Sequence, residues 1–358
     1  MHAIGIDDDA IKRPSQLNCE CGLAACGRSC DKKCFEICHT LLAQPKALLM
    51  NYVATLIVKS QSPERLEKGV ALARQLIEKA GAAVSGMDWL SPDQAVDLFF
   101  SGPSPAAINP LLGEAMRQLH IDSFAQARAS RRARMLIADM DSTMIEIECI
   151  DELAAAMGVK DQIAPITKAA MHGQIDFAEA LKARVRLITG LKVEQMERIC
   201  DRRVSYSPGA KTLVATMKKA GANTLLVSGG FTFFSDFVAK ELGFDQARAN
   251  RLEIEKGRLT GRLIPPILIA RSKQQALIEV RETLGIPSDQ TLAIGDGAND
   301  IPMLEEAGIS IAYHAKEKTA AAADARIDFA GLEAALFFQG YRRSEFVTHE
   351  AKPEADRP

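Results

Sequence analysis

The 358-residue chain lacks long apolar runs, a strong net charge and an apolar leader. No apolar run approaches the ~20 residues that a transmembrane helix needs. The net charge is -2, which argues against a general nucleic-acid-binding protein, because such proteins carry a basic stripe. The first ten residues are acidic and lack the apolar core of a secretory signal. These absences predict a globular protein with a cytoplasmic location and without nucleic-acid or membrane partners.

Cysteine is scarce outside one short segment. Six of the eight cysteines lie between Cys19 and Cys38. Their spacing lacks the paired C-x2-C pattern of a zinc module, and a disulfide framework fits badly with a reducing cytosol. We therefore interpret 1–47 as a cysteine-rich, disordered extension, with a metal or redox tract as the alternative. Cys149 and Cys200 are expected to pack as small apolar residues.

Residues 48–127 have the pattern of a small α+β domain. Strands are predicted at Tyr52–Val58, Val84–Leu90, Ala95–Phe100 and Ile121–Ala127, and helices at Pro63 to Gly81 and Pro105 to Leu119. This β-α-β-β-α-β order places helices on one face of a sheet. It resembles an ACT-like small-molecule-binding domain. The resemblance implies that serine is a candidate ligand of this domain and that the chain is a candidate homodimer.

A different pattern begins after a basic connector. The four arginines of Arg128–Arg134 lack interleaved aromatics, so we interpret them as solvated and not as a nucleic-acid patch. From 133 to 340, strands and helices alternate, which predicts a Rossmann-like parallel sheet. A helical stretch at about 150–205 predicts an inserted cap, and the polar tail 341–358 is expected to be disordered. The predicted strands are Met135–Ala138, Asn223–Val227, Leu292–Ile294, Ile309–Ala312 and Arg326–Phe329, with a hairpin formed by Arg248–Ile254 and Arg258–Leu263.

Acidic residues, glycines and a lysine stand near the ends of these core strands. Asp139 and Asp141 follow Met135–Ala138, and Ser228-Gly229-Gly230 ends the next apolar strand. Lys273 precedes a helix, and Asp296-Gly297-Ala298-Asn299-Asp300 follows a third strand. Ligands bind outside the carboxyl ends of the strands in an open parallel sheet. The four segments are therefore expected to meet in one site.

This combination of groups suits the hydrolysis of a phosphate monoester. Enzymes accelerate that reaction by up to ~21 orders of magnitude. An anionic phosphoryl group repels a carboxylate nucleophile unless positive charge compensates. A divalent ion shared by Asp139 and Asp296, together with the Lys273 ammonium, would supply that charge. Hard oxygen ligands favour Mg²⁺, and Asp141 is placed to protonate the leaving oxygen.

In order and composition, the four segments resemble the motifs of haloacid-dehalogenase-like phosphatases over residues 135 to 330. Within that superfamily, Asp139-Met140-Asp141-Ser142-Thr143 and its companions resemble the phosphoserine phosphatases. The resemblance implies that Asp139 is the nucleophile that forms an aspartyl-phosphate and that Asp141 is the general acid and base. It implies metal ligation by Asp139, the Asp141 backbone carbonyl and Asp296, supported by Asp300. It assigns the phosphoryl oxygens to Ser228, Gly229, Lys273 and Asn299.

The same resemblance implies residues that recognise the substrate. Glu148 would bind the serine ammonium, and Arg184 would bind the serine carboxylate through a bidentate pair. Met171 and Phe177 would help to exclude water. The implied reaction is Mg²⁺-dependent hydrolysis of O-phospho-L-serine to L-serine and phosphate, the last step of L-serine biosynthesis.

Several competing interpretations remain open at the level of sequence. Asp139 and Asp141 could be helix N-cap residues, and Glu148 could begin a cap helix. Arg184 could belong to a solvated helix face with Lys182. The competing activities are a related phosphatase or phosphotransferase acting on another small phosphomonoester, and amino-acid sensing through the N-terminal domain.

Overall fold

The computed structural model describes residues 52–171 and 174–348. The predicted cysteine-rich extension and residues 349–358 of the predicted polar tail lie outside these residues. Residues 341–348 of that tail are described, and Tyr341 and Phe346 are buried. Within the described ranges, the helices are all too short or too polar to span a bilayer. Cys149 and Cys200 are buried free thiols, as expected from their apolar surroundings.

The first part of the described chain is an antiparallel sheet with two helices on one face, which we call the N-terminal domain. Its elements are β1 (Tyr52–Ile57), α1 (Pro63–Lys79), β2 (Ala83–Ser91), β3 (Ala95–Ser101), α2 (Pro105–Gln118) and β4 (Asp122–Ala127), with sheet order β2-β3-β1-β4. Proline begins both helices, where its missing N–H has no intrahelical partner in any case. Apolar residues such as Leu66 and Leu112 bury the helices against Leu56 and Phe100. The predicted α+β order is confirmed.

The second part is a seven-stranded sheet, which we call the core sheet. Its elements outside the cap are β5 (Met135–Ala138), α7 (Ala210–Lys219), β6 (Asn223–Phe231), α8 (Thr232–Leu242), β7 (Gln246–Glu255), β8 (Arg258–Ile264), α9 (Ala270–Thr283), β9 (Thr291–Gly295), α10 (Ile301–Glu306), β10 (Ile309–Tyr313), α11 (Glu317–Ala322), β11 (Ala325–Ile327) and α12 (Ala334–Phe338). The order is β11-β10-β9-β5-β6-β7-β8. All neighbours are parallel except the predicted hairpin β7–β8. The predicted Rossmann-like sheet is confirmed.

Burial on both faces explains the apolar strands of the core sheet. Along β5, Met135 and Ile137 pack on the face covered by α9, and Leu136 and Ala138 pack on the other face. Successive side chains of a strand point to opposite faces, so a strand covered on both sides needs a continuous apolar run. The strand therefore ends where that run ends, one residue before Asp139.

Four helices occupy the stretch predicted as a cap. They are α3 (Cys149–Met157), α4 (Lys160–Met171), α5 (Phe177–Leu187) and α6 (Val193–Arg203). The two chain segments that enter and leave this stretch are hydrogen-bonded to each other. The Glu146 N–H donates to the Ser205 carbonyl at 2.9 Å, and the Ser207 N–H donates to the Met144 carbonyl at 3.1 Å. The chain thus enters and leaves the cap through two paired segments. The cap also bonds to the β7–β8 hairpin, where the Gly190 N–H donates to the Leu259 carbonyl at 2.8 Å.

The arginine connector is less solvated than predicted. The side chain of Arg131 is only 14% exposed, and its Nη1 lies 2.7 Å from the buried carboxylate of Asp97 on β3. A buried carboxylate requires a partner, and Arg131 is the basic residue that reaches it. The interpretation of 128–134 as a wholly solvated connector is therefore wrong at Arg131.

Candidate active site

The site begins where β5 ends. Asp139 is 5% exposed, and its N–H still follows the sheet by donating to the Ile294 carbonyl at 3.0 Å. Two residues later, Asp141 Oδ1 accepts from the backbone N–H of Cys149 at 3.2 Å. Because Cys149 is the first residue of α3, Asp141 satisfies one free N–H at that helix terminus. Asp141 is nevertheless not the N-cap residue of α3, because Glu148 holds that position.

Lys273 ties two of the acidic residues together. It lies in the first turns of α9, is 2% exposed, and its Nζ is 2.7 Å from Asp139 Oδ1 and 2.7 Å from Asp300 Oδ1. Burial alone would lower the pKa of Lys273, but the attraction of the two carboxylates outweighs burial and raises it. Lys273 is therefore a fixed positive charge beneath the site.

The loop after β9 brings the remaining acids. Asp296 Oδ1 accepts from Thr143 Oγ1 at 2.8 Å. Asp300 Oδ2 accepts from the backbone N–H groups of Gly297 at 3.0 Å and Asp296 at 3.2 Å. Asn299 Nδ2 lies 3.5 Å from Asp139 Oδ2. The backbone of this loop thus orients Asp300. The loop also contacts Asp139 through Asn299 and Thr143 through Asp296.

The donor set suits a hard divalent cation. One oxygen from each of Asp139, Asp296 and Asp300 lies within 4.8 Å of the others. Burial raises the pKa of Asp139 well above its usual range, and the nearby carboxylate of Asp300 raises it further. Burial likewise raises the pKa of Asp296 to about 6. These carboxylates repel one another unless a cation lies between them. Carboxylate oxygens are ligands that Mg²⁺ prefers, so the residues fit the predicted metal.

A glycine-containing turn faces these acids. At the end of β6, the Gly230 N–H donates to Ser228 Oγ at 2.8 Å. A Cβ atom on residue 230 would lie 2.8 Å from Asp141 Oδ2, closer than real Cβ contacts. A side chain at 230 would therefore displace the Asp141 carboxylate or the Ser228 hydroxyl. A role was predicted for Gly229 and not for Gly230, although the two adjacent glycines were visible in the sequence.

A cavity of about 150 Å³ lies between the core strands and the cap helices. The predicted site residues that line it are Asp139, Asp141, Glu148, Phe177, Arg184, Ser228, Gly229, Asp296 and Asn299. Lys273 and Asp300 lie beneath this lining, in contact with Asp139 or with each other. Met171 ends α4, and its side chain is outside the described residues. Eleven of the predicted residues are thus brought together from the four segments and the cap.

The cap side of the cavity carries one acidic residue, Glu148, and one basic residue, Arg184. Glu148 accepts from Ser142 Oγ at 2.8 Å. Arg184 on α5 is partly buried; burial lowers its pKa, while Glu148 and Asp151 act in the opposite direction. Lys182 instead pairs with Glu179 at the exposed surface of the same helix. The solvated-face interpretation therefore applies to Lys182 and not to Arg184.

Comparisons with known proteins agree with this architecture. A family model described as haloacid dehalogenase-like hydrolase matches residues 136–305. The phosphoserine phosphatase of Albidiferax ferrireducens is 46% identical over 223 residues, which cover 61% of this chain and 94% of that protein. The phosphoserine phosphatase of Streptomyces coelicolor is 37% identical over 287 residues, covering 79% of this chain and 70% of that one.

A solved structure extends the likeness to the N-terminal domain. The unliganded probable phosphoserine phosphatase from Vibrio cholerae has a TM-score of 0.66 and 28% identity, and the match covers 83% of this chain and 88% of that one. The chain belongs to the phosphoserine phosphatase family within the haloacid dehalogenase-like hydrolases. The family predicted from the motifs is confirmed.

Proposed function

We propose that the chain hydrolyses O-phospho-L-serine to L-serine and inorganic phosphate, as the last step of L-serine biosynthesis. The observation that carries the proposal is that Glu148 and Arg184, of opposite charge, line the same cavity as Asp139 and Ser228. A serine ammonium fits the carboxylate, and a serine carboxylate fits the guanidinium. Relatives named phosphoserine phosphatase support the same substrate.

The first step transfers the phosphoryl group to the protein. An oxygen of Asp139 forms a bond to phosphorus, and the bond from phosphorus to the serine oxygen breaks. Asp141 gives its proton to the departing oxygen. Burial, with repulsion from Glu148, raises the pKa of Asp141 to about 7, so protonated and ionised forms are both available near neutral pH. Ser228 and Lys273 would hold the phosphoryl oxygens as negative charge redistributes.

The second step regenerates the carboxylate. A water oxygen attacks the phosphorus of the aspartyl-phosphate, and Asp141, now ionised, takes the proton of that water. The bond between phosphorus and the Asp139 oxygen breaks, and inorganic phosphate leaves. Phe177 of the cap lines the cavity and would limit competing access of bulk water.

Mg²⁺ is the cofactor we propose. The carboxylates of Asp139 and Asp296 and the backbone carbonyl of Asp141 would hold it. Asp300 would support it indirectly, because both of its oxygens already accept hydrogen bonds, from Lys273 and from the backbone. When bound, the ion supplies positive charge that offsets the acidic cluster and the phosphoryl oxygens.

A phosphate-release assay tests the proposal. The full chain is given phosphoserine, phosphothreonine and a sugar phosphate, each with Mg²⁺ and with a chelator. We expect phosphoserine to be the preferred substrate and the chelator to abolish turnover. Faster release from the sugar phosphate would instead favour a phosphatase of another small phosphomonoester, and transfer of phosphate to an added alcohol would favour a phosphotransferase.

A further inference from the structure

The pairing of β6 with β7 is interrupted at the glycine-containing turn. Parallel pairing runs through Val227 opposite Arg248 and resumes only at Phe231 opposite Asn250. Three residues of β6, from 228 to 230, therefore stand opposite a single residue of β7. These three residues line the cavity. The bulge, however, deprives their backbone of regular hydrogen-bond partners on β7. Buried backbone carbonyl and N–H groups need replacement partners.

The side chain of Asn250 supplies the missing partner. Asn250 is 1% exposed, and its Nδ2 donates to the Gly229 carbonyl at 2.9 Å. The other end of the same peptide group, the Gly230 N–H, donates to Ser228 Oγ at 2.8 Å. The peptide between Gly229 and Gly230 is thus held from both ends. Because Ser228 Oγ accepts one hydrogen bond here, its own hydroxyl proton can be directed at a ligand in the cavity.

The same carboxamide also holds the segment that leads to Lys273. Asn250 Oδ1 accepts from the Leu268 N–H at 2.7 Å, two residues before α9 begins at Ala270. The orientation of the amide is unambiguous, since an N–H must face the Gly229 carbonyl and an oxygen must face the Leu268 N–H. One buried side chain therefore bridges the two segments that carry Ser228 and Lys273.

We propose that Asn250 is a positioning residue for phosphoryl binding. It fixes the distance between the turn at 228–230 and the start of α9, so that Ser228 and Lys273 act on the same phosphoryl group. Asn250 itself is not among the residues that line the cavity. The inference rests on the proposed function only in that the ligand of the site carries a phosphoryl group.

A second asparagine of the described chain provides a matched control. Asn109 on α2 donates through Nδ2 to the Ala125 carbonyl at 2.9 Å and accepts through Oδ1 from the Ala125 N–H at 2.7 Å. It therefore makes the same two kinds of bond to backbone, but in the N-terminal domain. Asn109→Ala removes equivalent hydrogen bonds without touching either phosphate-binding segment.

The test compares full-length Asn250→Ala, Asn250→Asp and Asn109→Ala with the unchanged protein, all with Mg²⁺. The measurements are kcat and KM for phosphoserine, the inhibition constants of inorganic phosphate and L-serine, and Tm. Misplacement of a contact by about 1 Å costs about 100-fold, so we expect kcat/KM of Asn250→Ala to fall by about that factor. We expect the inhibition constant of phosphate to rise by about tenfold, because loss of a residue that orients a binding group typically costs about 10- to 100-fold. The inhibition constant of L-serine should change little.

The two remaining variants separate positioning from general stability. In Asn250→Asp, an ionised carboxylate keeps an acceptor for the Leu268 N–H but cannot donate to the Gly229 carbonyl. Because burial favours the protonated carboxyl, which can donate, its phosphate inhibition should weaken as the assay pH is raised. Asn109→Ala should lower Tm and leave both inhibition constants unchanged. Equal losses in Asn109→Ala and Asn250→Ala, or unchanged phosphate inhibition in Asn250→Ala, would overturn the inference.

Failure of the proposed function gives a different pattern. If the unchanged protein does not turn over phosphoserine, the substrate assignment is wrong. Calorimetric titration with inorganic phosphate then still compares Asn250→Ala with Asn109→Ala. A selective loss of phosphate affinity in Asn250→Ala supports the positioning role, and equal affinities overturn it.

Discussion

Buried carboxylates occur in both parts of this molecule, with different partners. In the N-terminal domain, the Asp97 carboxylate lies 2.7 Å from Arg131 Nη1, and its other oxygen accepts from Thr55 Oγ1 at 2.7 Å. At the carboxyl ends of the core strands, the single ammonium of Lys273 is 2.7 Å from two carboxylates. In the N-terminal domain, one carboxylate is thus balanced by one guanidinium. At the core strands, one ammonium faces two carboxylates, so negative charge is in excess.

The difference separates a structural ion pair from a site that needs a ligand. Burial raises the pKa of Asp97, and Arg131 and Thr55 oppose that rise. Burial also raises the pKa of Asp139, but Asp300 and Asp296 add to the rise. Folding tolerates the second arrangement because a cation can neutralise it. An excess of buried charge of one sign is thus the physical mark of the candidate site.

The largest expected effect is on catalysis at the unbalanced site. Asp139→Asn removes the proposed nucleophile but keeps the shape of the side chain, so we expect kcat for phosphoserine to fall by about 10⁴-fold or more. Phosphate release under saturating substrate measures it, and circular dichroism checks the fold. Normal turnover by this variant would refute the assignment of Asp139.

Breaking the balanced pair should affect stability and spare the chemistry. Arg131→Met leaves the Asp97 carboxylate buried without its cation, which we expect to lower the free energy of unfolding by about 3–5 kcal/mol. Urea denaturation measures the loss. The matched variant Arg132→Met removes an ion pair with Glu345, whose side chains are 50% and 38% exposed, and a contact with the Tyr341 ring, so the loss should be only about 1 kcal/mol. If kcat of folded Arg131→Met also collapsed, the two groups would not be independent.

Magnesium should distinguish the two groups directly. At a concentration 100 times its dissociation constant, a ligand of the native state stabilises by about 2.7 kcal/mol. We therefore expect Mg²⁺ to raise Tm of the unchanged protein and of Arg131→Met alike. Asp296→Asn should lose this response, because one proposed ligand is gone. A full response in Asp296→Asn would place the ion elsewhere.

The smallest expected effect concerns recognition of serine by the cap. Arg184→Met should reduce kcat/KM for phosphoserine by about 10- to 100-fold, the range of one hydrogen bond to a charged group. Hydrolysis of an aryl phosphate without a carboxylate should change little. Lys182→Met, on the exposed face of the same helix, serves as the control. Equal losses for both substrates would mean that Arg184 acts on the phosphoryl group or on the fold.

Local patterns were sufficient to predict the secondary structure of both sheets. The apolar run at Met135–Ala138 is a strand with those bounds. A strand that is buried on both faces has apolar residues at every position, so its ends coincide with the ends of the apolar run. The turn at Lys256 and Gly257 also formed as expected, with positive φ at both residues. β6 was predicted to end at Val227 but extends to Phe231, because Phe231 pairs again with β7 after the bulge.

Long-range partners could not be predicted in the same way. The pairing of Arg131 with Asp97 joins residues 34 positions apart, and Asn250 bridges two segments that lie on either side of it in sequence. Thr143 was visible in the motif, yet its bond to Asp296 depends on how β5 and β9 are placed side by side. Polar residues of these types are common on any surface, so type alone does not reveal such contacts.

The sequence by itself determined the element order, the family and the set of acids, because apolar periodicity and motif order are local properties of the chain. Only the tertiary structure decided which charges are balanced and which are left in excess. That outcome depends on burial and on distances of a few ångströms between residues far apart in the chain, since electrostatic interactions strengthen as water is excluded.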